Sequence, residues 1–458
     1  MRMKIDMRPT FPLLFNDGEL QIVRDYKLKY DTISNILDSN PEVLDAVHED
    51  LKDFGSAEGR DTTFSSEHLL RALLVKWNEG LSFRDTVVRL ADSTVLRNFT
   101  RLNSGEVMNY SLLNTAFKTI RLETWETINA ILEQWAKGEK KINGTRLRLD
   151  STVCESNIHY PTDASLLWDS YRVASRMIER IREQESIRGG GCRFHVDKIK
   201  KLYTFIATHC SKKNKSTKRE VRKSTGILLH RVEAVVETAK SVVEHGKKDA
   251  CGIKAMALIN ELESSLPDMG KVIAQARRAY NGETVPACER IFSIFEPHTE
   301  LLMRGKQHKP VEFGHVVQIG QTEEKFISFY SVEQKSRHDS EMVEPVLQNH
   351  KETFGAYPSE FSADKNYYKG MEDIKEWEEE IDIFSICKKG GRTPEEIARE
   401  HGALFKLAQK FRAGCEGSIS VLKRVFGLRR CLNRGFKSFA ASVGCLVSCH
   451  NLFLLSKL

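Results

Sequence analysis

The sequence predicts an α/β protein in which a mixed β-sheet is flanked by helices, interrupted by a long helical insertion and preceded by an all-helical N-terminal domain. Strand-like alternation is missing up to about Gly138 beyond the opening residues. Later runs of β-branched and aromatic residues first meander and then alternate with helical patterns, which is typical of a mixed sheet. Residues 163–290, in contrast, are helical in spacing throughout. With 458 residues, 40% of them apolar, the chain can bury a large core in two or three domains.

The N-terminal region carries the start and stop signals of short helices. Ser65 or Ser66 is placed to cap a helix that runs to Asn78, and Gly80 to end it. Ser82 caps a second helix, and Asn109 or Ser111 a third. Short helices with short connections fit a helix-turn-helix-like unit, although on spacing alone a plain helical hairpin fits equally well.

A sheet is predicted after residue 139. In Thr145–Ser151, Leu147 and Leu149 point to one side, while Arg146, Arg148 and Asp150 point to the other. The later elements are expected in this order: paired strands at 312–318 and 325–333, an amphipathic helix at 339–353, a strand at 360–364 ending in Asp364, a buried strand at 381–387, and a polar connector at 393–403.

The stretch Phe411–Gly427, FRAGCEGSISVLKRVFG, predicts a helix with two stripes. Arg412, Glu416 and Lys423 share one stripe, and Ile419, Leu422 and Phe426 share another with core-facing spacing. On spacing alone, a carboxylate between two cations is a solvated surface arrangement.

The arrangement Arg412, three residues, Glu416, six residues, Lys423 resembles the R-x3-E-x6-K core of the signature in bacterial insertion-sequence transposases of the DDE type. The segments DSTVCESNIHYPTDASLLWD and FEPHTELLMRGKQHKPVEFGH also resemble this family. The resemblance covers most of the chain and implies a ribonuclease-H-like core. Asp150, Asp364 and Glu416 would be its three catalytic acids. The fuller signature has Tyr three positions before the Arg, where this chain has Gln409.

Three carboxylates suit the chemistry that this resemblance implies. Attack of water, and then of a DNA 3′-hydroxyl, on a phosphodiester places negative charge on the entering and leaving oxygens. Two Mg²⁺ ions roughly 3.5–4 Å apart stabilise both, and Mn²⁺ can substitute. Hard cations prefer oxygen ligands. We expect Asp150 to bridge the ions, Asp364 to bind one and Glu416 the other. Arg412 and Lys423 would orient Glu416 or hold DNA phosphate.

The positive charge is concentrated. The chain carries a net charge of +7, whereas Ser170–Thr225 alone holds sixteen Lys and Arg against five Asp and Glu. Such a segment favours a polyanionic partner, here double-stranded DNA as element ends and target. A solvated helix face is the alternative. Within a DNA enzyme, the following residues are predicted to contact phosphates: Lys212, Lys213, Lys215, Lys218, Arg219, Arg222 and Lys223.

The predicted organisation has four segments. These are a helical DNA-binding domain at 1–138, the first part of the catalytic core at 139–162, a basic helical insertion at 163–290, and the rest of the core at 291–458. The resemblance implies that the first domain helps to bind the element ends, and joining two ends predicts a homo-oligomer.

The cysteine pattern bears on the cellular compartment. Ten cysteines without a C-x-x-C pair predict a reduced, intracellular protein. The family resemblance implies a cytoplasmic location on bacterial nucleoid DNA. The uncharged run 438–456 contains His450, Asn451 and several serines. It therefore predicts a buried helix and no membrane span.

The expected function is a DNA transposase that cleaves the ends of an insertion sequence and joins them to target DNA. Two alternatives stay open. One is a ribonuclease-H-like metal nuclease without strand transfer, which shares the first chemical step. The other is a catalytically inactive DNA-binding or repressor protein, which loss of one acid would favour.

Overall fold

The computed structural model describes residues 2–6, 20–54, 63–103, 105–184, 193–248, 252–303 and 309–458. The protein is mixed α/β, and its seven-stranded sheet contains both parallel and antiparallel pairs. The chain forms two compact units. Unit 1 combines Met1–Glu155 with His315–Leu458, and unit 2 is the continuous segment Ser156–Gly314. Unit 2 begins before and ends after the predicted insertion at 163–290.

Unit 1 begins with helices, as the sequence predicts. They are α1 (Gln21–Asp38), α2 (Pro41–Leu51), α3 (Ser66–Asn78), α4 (Phe83–Asp92), α5 (Thr94–Thr100), α6 (Tyr110–Thr119) and α7 (Leu122–Gly138). The predicted caps at Ser65, Ser82 and Asn109 are confirmed, because each side chain accepts a backbone N–H from the first turn of its helix. Gly80, with φ +62°, turns the chain after α3 as expected.

The remaining elements alternate between the sheet and its flanking helices. The strands are β1 (Arg146–Ser156), β2 (Glu300–Met303), β3 (Val311–Thr322), β4 (Ile327–Val332), β5 (Glu360–Ala363), β6 (Ile383–Ile386) and β7 (Arg430–Cys431). The helices of unit 2 are α8 (Asp163–Gln184), α9 (Val196–His209), α10 (Lys215–Lys248) and α11 (Ile253–Tyr280). Those that return in unit 1 are α12 (Val343–Phe354), α13 (Met371–Glu380), α14 (Pro394–His401), α15 (Ala403–Arg424) and α16 (Phe436–Leu455).

In unit 1 the strand order is β4-β3-β1-β5-β6, and β7 pairs with β1. β3 and β4 are antiparallel, whereas β1, β5 and β6 run parallel. Leu147, Leu149 and Phe361 point from the sheet into a core shared with α12 and α13. The alternation predicted for β1 is therefore confirmed. The polar side of β1 faces α15, where the Arg148 guanidinium donates to the backbone oxygen of Phe411 at 2.9 Å.

Helix α16 packs against the N-terminal helices and completes their apolar core. Within the described residues it is the one helix long and apolar enough to cross a membrane, yet 83% of its most apolar window is buried inside the protein. Asn451 is fully buried and bonds both backbone groups of Ile327 on the edge strand β4, at 3.0 Å to the N–H and 2.9 Å to the oxygen. The polar residue in this apolar helix thus supplies hydrogen-bond partners at the outer edge of β4, where the described part of the chain places no further strand.

Two element predictions differ from the structure. Residues 393–403, predicted as a polar connector, contain α14, which starts with a capping box between Thr393 and Glu396. The stretch Phe411–Gly427, predicted as a helix, is helical as far as Arg424, and α15 as a whole begins at Ala403, where the predicted connector ends. At α14 a polar composition hid a helix whose only buried residue is Glu396.

Unit 2 has its own apolar core. Its helices α8 to α11 pack around buried Leu167, Ile178, Leu228, Val232 and Ile259. β2 pairs antiparallel with the first part of β3, through Glu300–Met303 and Val311–Gly314.

Candidate active site

The first predicted acid, Asp150, lies within β1, and the second, Asp364, directly follows the neighbouring parallel strand β5. The register pairs Leu149 of β1 with Ala363 of β5, and Asp150 and Asp364 are the next residue on each chain. Neighbouring strands lie about 4.8 Å apart, so the two backbones are adjacent where the acids leave them. Because Leu149 and Ala363 face the core with α12 and α13, strand alternation turns both acids toward the α15 side.

The third acid comes from α15 across this face. Arg412 joins it to the first, since Nη1 donates to Asp150 Oδ2 and Nη2 donates to Glu416 Oε1, each at 3.4 Å. Both contacts are at the long end for hydrogen bonds. The Asp150 side chain is 15% exposed, whereas that of Glu416 is 68% exposed and has room to change rotamer.

The surroundings of Asp150 oppose its ionisation. Burial raises the pKa of Asp150 above its ordinary value, and the neighbouring carboxylates of Asp364 and Glu416 raise it further. The Ser151 backbone N–H, which donates to Oδ1 at 2.8 Å, and the Arg412 guanidinium lower this pKa but do not cancel the effect. A cluster of carboxylates held this way is stabilised when a cation enters it.

Three further residues set the position of α15. The Arg148 side chain is buried and also donates to Gln321 Oε1 at 2.9 Å. A Cβ at Gly414 would collide with this guanidinium, so glycine allows α15 to lie close to β1. Gln409 Nε2 donates to the backbone oxygens of Ala363 and Ser385, at 3.3 and 2.9 Å. It therefore ties α15 to the ends of β5 and β6.

These positioning roles were missed at the sequence level. In the sequence, Gln409 was noted only as a departure from the family signature, and Arg148 only as part of the polar face of a strand. A glycine inside a predicted helix is the signal that could have identified Gly414, because glycine lowers helix stability unless close packing requires it.

The remaining predicted residues lie elsewhere. Lys423 is half-buried on α15, about 10 Å along the helix axis from Glu416, and near Cys154 of β1. The seven predicted phosphate contacts, Lys212 to Lys223, are all exposed at the start of α10 and in the turn before it, in unit 2.

The donor set agrees with a hard divalent cation. Asp150, Asp364 and Glu416 offer carboxylate oxygens, the ligands that Mg²⁺ and Mn²⁺ prefer. Burial raises the pKa of the nearby Cys415 to about 12, so its thiol stays protonated at neutral pH. Among the described residues, no three His, Cys, Asp or Glu side chains stand ready to hold an ion. Between Asp150 and Glu416 the reason is visible, since Arg412 lies between them.

Comparison of this chain with protein-family models, with curated proteins and with solved structures finds no match.

Proposed function

We propose that this chain is a DNA transposase of the DDE type with a ribonuclease-H-like core. It would cleave the ends of an insertion sequence and join them to target DNA. One observation carries the proposal: Asp150 within β1 and Asp364 after β5 each come one residue after the paired residues Leu149 and Ala363 of two parallel strands, and Arg412 links Asp150 to Glu416 on α15. The order strand acid, strand acid, helix acid is the order that the family resemblance implies.

Asp150, Asp364 and Glu416 would hold two Mg²⁺ ions. When bound, these would stabilise the negative charge on the entering and leaving oxygens of the phosphodiester. The protein's own part is positional. Arg148, Gln409 and Gly414 hold α15 against β1, β5 and β6. Arg412 balances the carboxylates before a cation enters, and can then turn toward a DNA phosphate.

Further support comes from the helical regions. The N-terminal helices would help to bind element ends, and unit 2 would be the helical insertion within the core. The exposed cations from Lys212 to Lys223 would add affinity for any duplex. A homo-oligomer acting on cytoplasmic DNA completes the proposal.

The proposal is tested with Asp150→Ala, Asp364→Ala and Glu416→Ala. Each should abolish Mg²⁺-dependent cleavage of element-end DNA and leave its binding affinity near that of the wild type, because the acids would hold metal and contribute little to DNA affinity. Glu372→Ala, which removes an exposed carboxylate from α13, is the control and should cleave normally. Full cleavage by any of the three variants would remove that residue from the site.

The products separate this proposal from its alternatives. Joined products indicate a transposase, whereas nicks alone indicate a nuclease without strand transfer. Binding without either product indicates an inactive DNA-binding protein.

A further inference from the structure

A groove of about 440 Å³ lies in unit 1 between α4, α6 and the chain that follows β7. α4 contributes Arg84, α6 contributes Tyr110, Asn114 and Lys118, and the segment after β7 contributes Leu432 and Arg434. None of these residues takes part in the carboxylate cluster described above.

The groove is positively charged and has apolar surface. Three cations line it, and no carboxylate does so among the described residues. The Arg84 guanidinium lies 5.0 Å from the centre of the Tyr110 ring. Tyr110 is 43% exposed and Leu432 is 71% exposed, so an aromatic ring and an aliphatic side chain are open to a ligand. Asp85, the acidic residue next to Arg84 in the sequence, accepts a hydrogen bond from Ser82 Oγ at 2.6 Å.

Further cationic side chains lie between the groove and the sheet. Arg429 and Arg430 are exposed in the same connection between α15 and α16, and Lys437 is exposed in the first turn of α16. Arg430 also pairs with Glu155 Oε2 at 3.0 Å. Cations combined with exposed aromatic surface are characteristic of sites that bind nucleic-acid backbones. An acidic peptide could pair with the cations of the groove, but binding such a peptide would not explain why the groove is connected to the carboxylate cluster.

That connection is made through the sheet. β7 pairs with β1, and the Glu155 backbone N–H donates to the Arg429 oxygen at 3.1 Å. Glu155 lies five residues after Asp150 on β1, which corresponds to about 17 Å of strand. The groove residues Leu432 and Arg434 come three and five residues after Arg429 on the segment that pairs there.

We infer that this groove binds the backbone of the DNA whose phosphodiester lies at Asp150, with Arg84, Lys118 and Arg434 on phosphates and Tyr110 against a sugar or base. The inference rests on the proposed function and names one of its DNA contact surfaces. Holding the DNA at the groove as well as at the acids would fix which phosphodiester reaches them.

The first test compares two triple variants of the full chain. Arg84→Gln/Lys118→Gln/Arg434→Gln removes the groove cations. Arg24→Gln/Lys140→Gln/Lys406→Gln removes three exposed cations elsewhere in unit 1. With a duplex of arbitrary sequence, the groove variant should flatten the slope of log affinity against log salt by roughly 2.7, because three fewer counterion-releasing contacts form. The control should change it much less. Equal slopes in the two variants would overturn the inference.

The second test locates the strand. A duplex carrying 5-iodouracil is irradiated with the wild-type protein, and the cross-linked peptide should contain Tyr110. When Mg²⁺ is then added, the cross-linked duplex should be cut. Cross-linking confined to other peptides contradicts the inference.

The outcomes distinguish the two proposals. If the wild type binds and cuts DNA but the groove variant keeps its salt slope, the groove inference fails and the proposed function stands. If the wild type cross-links at Tyr110 but never cuts, the proposed function fails and the groove stands as a DNA contact. If the wild type does not bind DNA, both fail.

Discussion

At the scale of single residues, Asp150 combines a functional position with an unfavourable charge. Its pKa is raised by burial first and then by Asp364 and Glu416. In the folded state it therefore binds a proton more readily than in the unfolded state. By linkage, stability falls as the pH rises from its ordinary pKa near 4 through the raised folded value. At neutral pH the ionised carboxylate lowers the free energy of unfolding, and a cation would restore it.

Asp150→Asn should therefore raise the free energy of unfolding at neutral pH without added metal, by on the order of 1 kcal/mol, because a neutral amide replaces a buried charge among carboxylates. Mg²⁺ should stabilise the wild type by RT ln(1 + [L]/Kd), about 2.7 kcal/mol at a hundredfold excess over Kd. It should stabilise the variant far less. Denaturant unfolding with and without Mg²⁺ measures both effects.

The same account predicts how the stability difference between Asp150→Asn and the wild type depends on pH. Above pH 4 the difference in stability between variant and wild type should grow with pH until the Asp150 carboxyl is ionised in the folded protein as well. A wild type that is the more stable protein at pH 7 without metal would contradict this account of Asp150.

Asp150 and Asp364 were reached through the family resemblance, supported by the alternation that predicted a strand with Asp150 on its polar side; β1 runs on past Asp150 to Ser156. Sequence reasoning did not reach the roles of Arg148, Gln409 and Gly414. Those roles depend on contacts between α15 and strands far away in the sequence, such as the bond from Arg148 to Phe411 across 263 positions. The pattern within each segment contains no information about such distances.

At the scale of elements, α15 contains two glycines, Gly414 and Gly417, in different surroundings. A Cβ at Gly414 meets the Arg148 guanidinium, while a Cβ at Gly417 meets nothing within 4 Å. Arg148 cannot move aside freely, because it is buried and bonded to Gln321 and Phe411. The two positions therefore give a matched pair within one helix.

Gly417→Ala should stabilise the protein by about 0.5–1 kcal/mol, the usual gain when alanine replaces glycine in a helix. Gly414→Ala should destabilise it by about 1–3 kcal/mol, since overpacking displaces either the helix or Arg148. It should also reduce DNA cleavage by moving Glu416 away from Asp150. Thermal unfolding and cleavage assays on both variants provide the readout. The packing argument fails if the two substitutions change stability in the same direction.

Some helices were predicted with their correct boundaries, and one was missed. The helices with a serine or asparagine cap and a wide apolar stripe were found with their boundaries, as at Ser65, Ser82 and Asn109. The helix α14 was not, although Thr393, Pro394 and Glu396 form its start signal, because Glu396 is its only buried residue. The segment is polar, with Ile397 as its one large aliphatic side chain, and Ile397 is 42% exposed.

At the scale of the whole molecule, the basic start of α10 belongs to unit 2 and the acids belong to unit 1. We expect binding and chemistry to be separable for this reason. Lys212, Lys213, Lys215 and Lys218 are exposed and can be exchanged together without disturbing a core.

Changing these four lysines to Gln should weaken binding to any duplex by similar factors and flatten the salt slope by roughly 0.9 per lost contact. Cleavage should recover at saturating DNA and low salt, which no DNA concentration achieves in the acid variants. A control changes four other exposed lysines of unit 2 to Gln: Lys240, Lys247, Lys254 and Lys271. An unchanged slope in the first variant assigns this stretch to a solvated helix face.

The α/β class and the sheet with flanking helices followed from the sequence at this scale. The limits of the two units did not, because they fall inside β3 and at the end of β1, where no change of composition marks them. Strand continuity there is decided by tertiary pairing.

The packing of α16 against α7 and α3 has a consequence for biosynthesis. Phe436, where α16 starts, is 298 residues after Gly138, where α7 ends. At about 5–20 residues per second, a ribosome needs about 15–60 s to cover that distance. During this interval the apolar faces of the first helices lack the helix that covers them. The nascent chain therefore exposes the apolar side chains of an incomplete core until α16 is made. Chaperones must cover this surface during the interval. A chain stalled before residue 436 should aggregate.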